Sequence, residues 1–251
     1  EAGFDLGGSG SALRTPSCCV GPARCEYDCY DTLDMCNNIT HEFQDELHRP
    51  AWPYKFKIKM SGCPNDCVAA IARADCAVIG TWRDTIIIDQ EEVKAYAESG
   101  MNIQREVCDK CPTRALEFNA ETKELTVIPE DCSHCMHCIN VMPKAIRPGK
   151  DRGATILVGG KSTIVKSAFM SWVIVPFMKM EPPYTEFKDL IRRIWEWWDE
   201  NAKTRERLGE LIYRVGMGTF LREVGLPAVP QMIFRPRANP YVFWQEDEIK
   251  K

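Results

Sequence analysis

Thirteen cysteines in 251 residues are the feature of this sequence that bears most directly on chemistry. They fall into two spaced groups. Cys108 and Cys111 form C-x2-C, and Cys132, Cys135 and Cys138 form C-x2-C-x2-C ahead of Met142-Pro143. Cys19 and Cys25 form C-x5-C, and Cys63 and Cys67 form C-x3-C after 37 intervening residues. Thiols at these spacings, with no signal peptide apparent, lead us to expect metal or cluster ligation in a reducing compartment rather than a disulfide framework.

Residues 108–143 follow the bacterial ferredoxin run, with methionine in place of its last cysteine. In two-cluster ferredoxins the cysteine before proline ligates the other cluster, and Cys111-Pro112 supplies one. One complete [4Fe–4S] set results: Cys111, Cys132, Cys135 and Cys138. The second set has lost its ligands, and Cys108 reads as an unligated thiol. A zinc ribbon has similar spacing, but it leaves Cys138 and the matched C-P and M-P pairs unexplained. His134 and His137 lie between the ligands, as surface groups or as neighbours of the cluster.

For Cys19, Cys25, Cys63 and Cys67, spacing alone leaves a cluster, a structural zinc site or plain buried thiols open. What precedes Cys63 is more informative. Lys55, Lys57 and Lys59 alternate with Tyr54, Phe56, Ile58 and Met60, the period of a half-buried strand with three ammonium groups on one side. Lysines two apart on a strand lie about 7 Å apart and repel by ~0.6 kcal/mol in water, or ~2.4 kcal/mol at an effective dielectric of 20. A solvated face tolerates that; a buried one needs anions.

The elements around these residues can be read in outline. Residues 26–48 have helical periodicity and stop at Pro50. Strands are expected at 76–80, 85–89 and 154–158, with helices at 90–99, 184–201 and 203–224. Asn65 and Asp66 suit a helix cap. The apolar run 163–180 contains Lys166, Pro176 and Lys179, so it reads as a core segment rather than a membrane span. A net charge of -4 gives no reason to expect a nucleic-acid surface. Gly160-Lys161-Ser162 is no phosphate loop, because Thr155 stands where a glycine is required. Cys18, Cys29, Cys36 and Cys76 read as small buried hydrophobes, with Cys18 competing with Cys19 as ligand; His41 and His48 read as helix surface.

C-x5-C and C-x3-C, K-F-K-I-K before the latter, a single-cluster ferredoxin insert, L-R-T-P-S, Q-D-E-L-H-R-P, G-C-P-N-D-C, C-M-H-C-I-N and W-E-W-W-D closely resemble the dissimilatory sulfite reductase alpha-subunit family. The resemblance covers essentially the whole chain. It implies an α+β fold, with a siroheme sulfite reductase-type domain at 1–100 and 151–251 and a ferredoxin-type insert at 101–150. It implies siroheme and two [4Fe–4S] clusters, one held by Cys19, Cys25, Cys63 and Cys67, with Cys67 bridging to the siroheme iron. Arg14, Lys55 and Lys57 are then expected at sulfite, and Lys59, Arg73, Lys161, Arg235 and Arg237 at siroheme carboxylates.

The activity implied is six-electron reduction of sulfite in the cytoplasm, as a hetero-oligomer with a paralogous beta subunit, fed by small sulfur-carrier or electron-donor proteins. Reverse action, nitrite reduction or a ferredoxin-like carrier without siroheme are the alternatives. An abrupt start at Glu1 is read as a missing N-terminal part that carries a further substrate arginine.

Overall fold

Phe56, Ile58 and Met60 are covered while Lys57 and Lys59 between them stay half-buried, so the alternation is realised as a strand. The computed structural model describes residues 7–48, 52–162 and 168–228. The chain divides into two units, one up to Gly80 and again from Gly153, the other Thr81–Arg152. In chain order the first unit opens with β1 Ser17–Cys18, α1 Thr32–Glu42, β2 Ile58–Ser61, α2 Ala70–Arg73 and β3 Cys76–Trp82. The second contains β4 Ile87–Ile88, α3 Gln90–Glu98, β5 Leu116–Asn119, β6 Glu124–Val127, α4 His137–Val141 and β7 Ile146–Arg147. The chain then returns through β8 Arg152–Val158, β9 Trp172–Met178, α5 Thr185–Asn201, α6 Leu208–Val215 and α7 Met217–Val224.

The main sheet has the order β1-β2-β3-β8-β9, with β1, β2 and β3 parallel and β8 antiparallel to β9. One face carries Phe56, Ile58, Met60, Val78, Ile156 and Val158 into a core shared with Met35 and Ile39 of α1 and Ile191, Ile194 and Trp198 of α5. Phe56 sits among three tryptophans, with ring centroids 6.1, 5.5 and 5.6 Å from Trp52, Trp195 and Trp198. That packing sets the register, because a slip of one residue would drive the lysines into the core. Ala77 pairs with Lys59 and so shares the lysine face. There Ala70, Ala74, Ala77, Ile79, Leu157 and Val173 form a small apolar patch beside the cations.

Several elements depart from the sequence-based expectation for local reasons. The helix expected over 26–48 begins at Thr32, because Asp31 accepts from the N–H groups of Leu33 and Asp34, both at 3.0 Å. The helix expected over 203–224 is two helices, broken at Gly216, whose φ of 92° is left-handed. The apolar run ends in strand β9, an edge strand where Pro176 is tolerated and its carbonyl accepts from Thr155 Oγ1 at 2.8 Å. Residues 163–167 lie outside the described residues.

The second unit starts at Thr81 rather than at 101. Residues 81–100 pack within it: β4 pairs with β7, and Gln90 exchanges hydrogen bonds with the Leu125 backbone at 2.8 and 3.1 Å. The strand expected at 85–89 is reduced to Ile87–Ile88. Among the described residues no helix is long and apolar enough to cross a membrane.

Candidate metal centres

In the first unit Cys19, Cys25, Cys63 and Cys67 line one cavity of about 270 Å³, together with Cys18, Asp28, Ser61 and Gly62 among others. Cys19 is placed by the sheet, its N–H donating to the Met60 carbonyl at 2.9 Å. Cys25 closes a short 3₁₀ turn, its N–H donating to the Gly21 carbonyl at 2.9 Å. Cys63 and Cys67 flank a turn clamped by Asp66. That carboxylate accepts from Ser61 Oγ at 2.6 Å and from the N–H groups of Ala70 and Ile71 at 2.8 and 3.0 Å. Asp66 thus caps α2 from four residues upstream. Gly80 makes the close approach possible, since a Cβ there would lie 2.0 Å from the Gly62 carbonyl oxygen.

Two details fit these thiols to a polynuclear cluster. The Gly62 N–H donates to Cys19 Sγ at 3.2 Å, and the Asn65 N–H donates to Cys63. Such donors stabilise thiolate charge. Burial nonetheless pushes the Cys63 thiol up to about 11, a cost that bound cationic iron would offset. A tetrahedral zinc site requires four sulfurs converging at about 2.3 Å on one point. Among the described residues no three His, Cys, Asp or Glu side chains are grouped to hold a single metal ion. A ring of thiols around a larger cavity suits a cube better than an ion. Cys63 is buried and Cys67 exposed, so the set opens toward solvent at Cys67.

Cys18 also borders the cavity but packs against the sheet core, and its sulfur is hydrogen-bonded to Cys36. Cys19, with its Gly62 donor and Thr32 Oγ1 at 3.8 Å, is the better ligand of the pair. Cys29 and Cys76 are buried, whereas Cys36 is only half-buried. His41 and His48 are exposed, as read from the sequence.

The cations form a connected group. The Arg14 N–H donates to the Phe56 carbonyl at 2.8 Å, and its Nε is buried without a hydrogen-bond partner. Lys59 Nζ donates to Ser17 Oγ at 3.0 Å, across the β1–β2 pairing. Lys55 Nζ lies 5.1 Å from the centroid of the Tyr54 ring, which Arg205 also approaches at 5.6 Å. Lys57 is held below the usual lysine range by burial first, then by Arg207, Lys55 and Arg14, with Asp75 opposing them.

Asp75 and Arg207 were not anticipated from the sequence. Asp75 accepts from Arg207 Nε and Nη2 at 2.6 and 2.7 Å and from the Lys57 N–H at 2.9 Å, and it is fully buried. Burial pushes its carboxyl up against the opposite pull of Arg207. Lys161, expected at a siroheme carboxylate, has a carboxylate of its own: Nζ lies 2.6 Å from Glu210 Oε1 with only 3% of the residue exposed. Its charge is met inside the protein. Arg73 is exposed at the end of α2. Arg235 and Arg237 lie outside the described residues.

In the second unit Cys111, Cys132, Cys135 and Cys138 line a second cavity, with Trp82, Ile86, Pro112, His134, Met136 and His137 among its walls. A π-helical turn over Gln104–Cys108 presents Cys111, whose N–H donates to the Cys108 carbonyl at 3.1 Å. The loop bearing Cys132 and Cys135 curls through left-handed His134 and Met136, with φ of 54° and 67°, before Cys138 enters α4. Burial pushes the Cys138 thiol up to about 12 and also raises Cys132, which accepts from the His134 N–H. Cys108 is buried and stands apart from the cavity lining, and Met142, at the lost ligand position, is fully buried in the core. The His134 ring meets Trp82 edge-on at 5.0 Å and is pushed down by burial.

Residues 9–231 match the family model described as the nitrite and sulphite reductase 4Fe-4S domain. The chain belongs to this family. Among members of the nitrite and sulphite reductase family, "Sulfite reductase, dissimilatory-type subunit alpha" of Nitratidesulfovibrio vulgaris is 47% identical over 260 residues, covering 98% of this chain and 59% of the relative. The subunit of the same name in Allochromatium vinosum is 47% identical over 246 residues, covering 96% and 59%. The crystal structure of dissimilatory sulfite reductase I superposes with a TM-score of 0.88 at 50% identity, over 97% of this chain and 59% of that one. Beta subunits of dissimilatory-type sulfite reductases also match, at lower identity. This chain therefore spans 59% of the length of these alpha-subunit relatives.

Proposed function

We propose that this chain forms part of the catalytic subunit of a dissimilatory sulfite reductase, reducing sulfite toward sulfide. In this reading Cys19, Cys25, Cys63 and Cys67 hold a [4Fe–4S] cluster coupled through Cys67 to siroheme. One observation carries it: the four thiols ring a single cavity whose wall includes Ser61, the residue that continues the Lys57–Lys59 face of β2. A half-buried row of cations that repel one another is the counterpart of an anionic ligand, and siroheme carboxylates and sulfite are both anions.

When bound, siroheme with its cluster would supply a redox-active iron for the substrate and a route for six electrons. The side chains do the rest. Arg14, Lys55 and Lys57 hold the oxyanion by charge-assisted hydrogen bonds, and the two lysines pass protons, replaced from solvent, to the oxygens that depart as water. Lys57 suits proton release, because burial first, and then the neighbouring cations, already weaken its hold on the proton. Lys59 and Arg73, with Arg235 and Arg237, are assigned to the tetrapyrrole carboxylates, and Lys161 is left to Glu210. Cys111, Cys132, Cys135 and Cys138 are assigned a second [4Fe–4S] cluster as the point of electron entry. A paralogous beta subunit in an α2β2 complex, small sulfur-carrier or electron-donor proteins and a cytoplasmic setting complete the proposal.

The deciding experiment is an absorption spectrum of the anaerobically purified full-length complex, with iron and labile-sulfide analysis. Soret and red bands of siroheme are expected. A broad brown shoulder alone would assign the chain to ferredoxin-like electron transfer, and zinc in place of iron would end both readings.

A further inference from the structure

The Trp82 indole nitrogen and the His137 Nε2 are both buried without a hydrogen-bond partner, and both residues line the cavity ringed by Cys111, Cys132, Cys135 and Cys138. An indole N–H can only donate, and Trp82 is only 2% exposed, so water does not serve it. Buried polar groups in native proteins are paired with few exceptions, and each exception calls for an explanation. His134, the other histidine on this wall, is already accounted for: its side chain is hydrogen-bonded to the Asp84 backbone and its ring packs on Trp82. His137 has no such partner. It enters α4 as the first helical residue, directly after the left-handed Met136 and one residue before Cys138.

We propose that Trp82 and His137 donate their ring N–H groups to the sulfurs of the iron–sulfur centre in the second unit and raise its reduction potential. The inference rests on the cluster assigned to Cys111, Cys132, Cys135 and Cys138 under the proposed function. Reduction adds one negative charge, spread over the sulfurs, so donors aimed at them favour the reduced state. Backbone donors already serve Cys132 and Cys138, from His134 and Ile139. The two ring donors add to that set from side chains, where substitution can remove them singly.

The test uses the full-length complex, with EPR-monitored redox titration of the unaltered protein, Trp82→Phe and His137→Leu. Each variant is expected to keep the cluster signal and to disfavour reduction roughly tenfold, a fall of about 59 mV in a one-electron midpoint. A second measurement needs no substitution: pulsed EPR of the reduced cluster should show nitrogen couplings that change on labelling with ¹⁵N-indole tryptophan and with histidine labelled with ¹⁵N only in the imidazole ring, which leaves the His134 backbone donor unlabelled. Intact signals at the unaltered midpoint in both variants overturn the proposal, as does a spectrum unmoved by either label. If a variant loses its cluster, the labelled unaltered protein decides. If the unaltered protein holds no cube in this unit, by iron and sulfide analysis, the failure lies with the cluster assignment itself.

Discussion

At Lys57 burial and three cations, Arg207, Lys55 and Arg14, all act in one direction, and Asp75 acts in the other. A lysine whose folded value lies below its unfolded one destabilises the fold while it is charged. The fold regains that stability as pH rises through the window beneath the ordinary value of 10.5. Anion binding has the opposite sign, because it needs the charge. On the proposed function, sulfite affinity measured against pH should therefore fall at a pH below 10.5. In its proposed role at sulfite, Lys57 makes one charge-assisted hydrogen bond, and Lys57→Ala should lower kcat/KM by about 10–100-fold in steady-state assays.

Asp75 belongs to the same scale. Asp75→Ala leaves the Arg207 guanidinium buried and unpaired and should cost about 3–5 kcal/mol in denaturant unfolding. The two cysteine groupings were legible in the sequence because each half-motif is local, with its spacing written along the chain. The Asp75–Arg207 pair was not, since its partners are 132 residues apart and neither sits in a motif. Lys161 illustrates the converse: its motif context was legible, and its partner Glu210, 49 residues on, was not.

At the level of elements, the lysine face is imposed from behind. Phe56, Ile58 and Met60 are anchored by α1 and the tryptophans of α5, and the alternation of β2 then leaves its lysines only one direction. Phe56→Ala should destabilise the protein by about 3–5 kcal/mol and, on the proposed function, lower sulfite affinity as well, although Phe56 carries no charge. Calorimetry and binding measured on one preparation check both. The strand was readable because its period is short and unbroken from Tyr54 to Met60. The division between α6 and α7 was not, because the apolar spacing runs on across Gly216 and only its backbone φ ends the first helix. That the compact unit begins at Thr81, ahead of the insert expected at 101–150, was not legible for a related reason: β4 and α3 look like any strand and helix until β7 and β6 are seen to hold them.

On the scale of the whole molecule, the chain leaves the main sheet after β3 and returns to it at β8, which are neighbours in the strand order. Departure and return are stitched together. The Arg83 N–H donates to the Asp151 carbonyl at 2.9 Å, and the Arg83 guanidinium meets the Asp151 carboxylate at 2.7 Å. On the proposed cofactor assignment, replacing residues 84–150 by a short turn should leave the circular dichroism of the first unit and the siroheme bands in place. Non-haem iron should fall by about half, the share of one of two four-iron clusters.

A detour that begins and ends at the same doorway costs little more when it is long than when it is brief, because the entropy of closing it grows only with the logarithm of its length. The gap between Arg83 and Asp151 is thus a place where the intervening segment can be long or short while the main sheet keeps its own architecture.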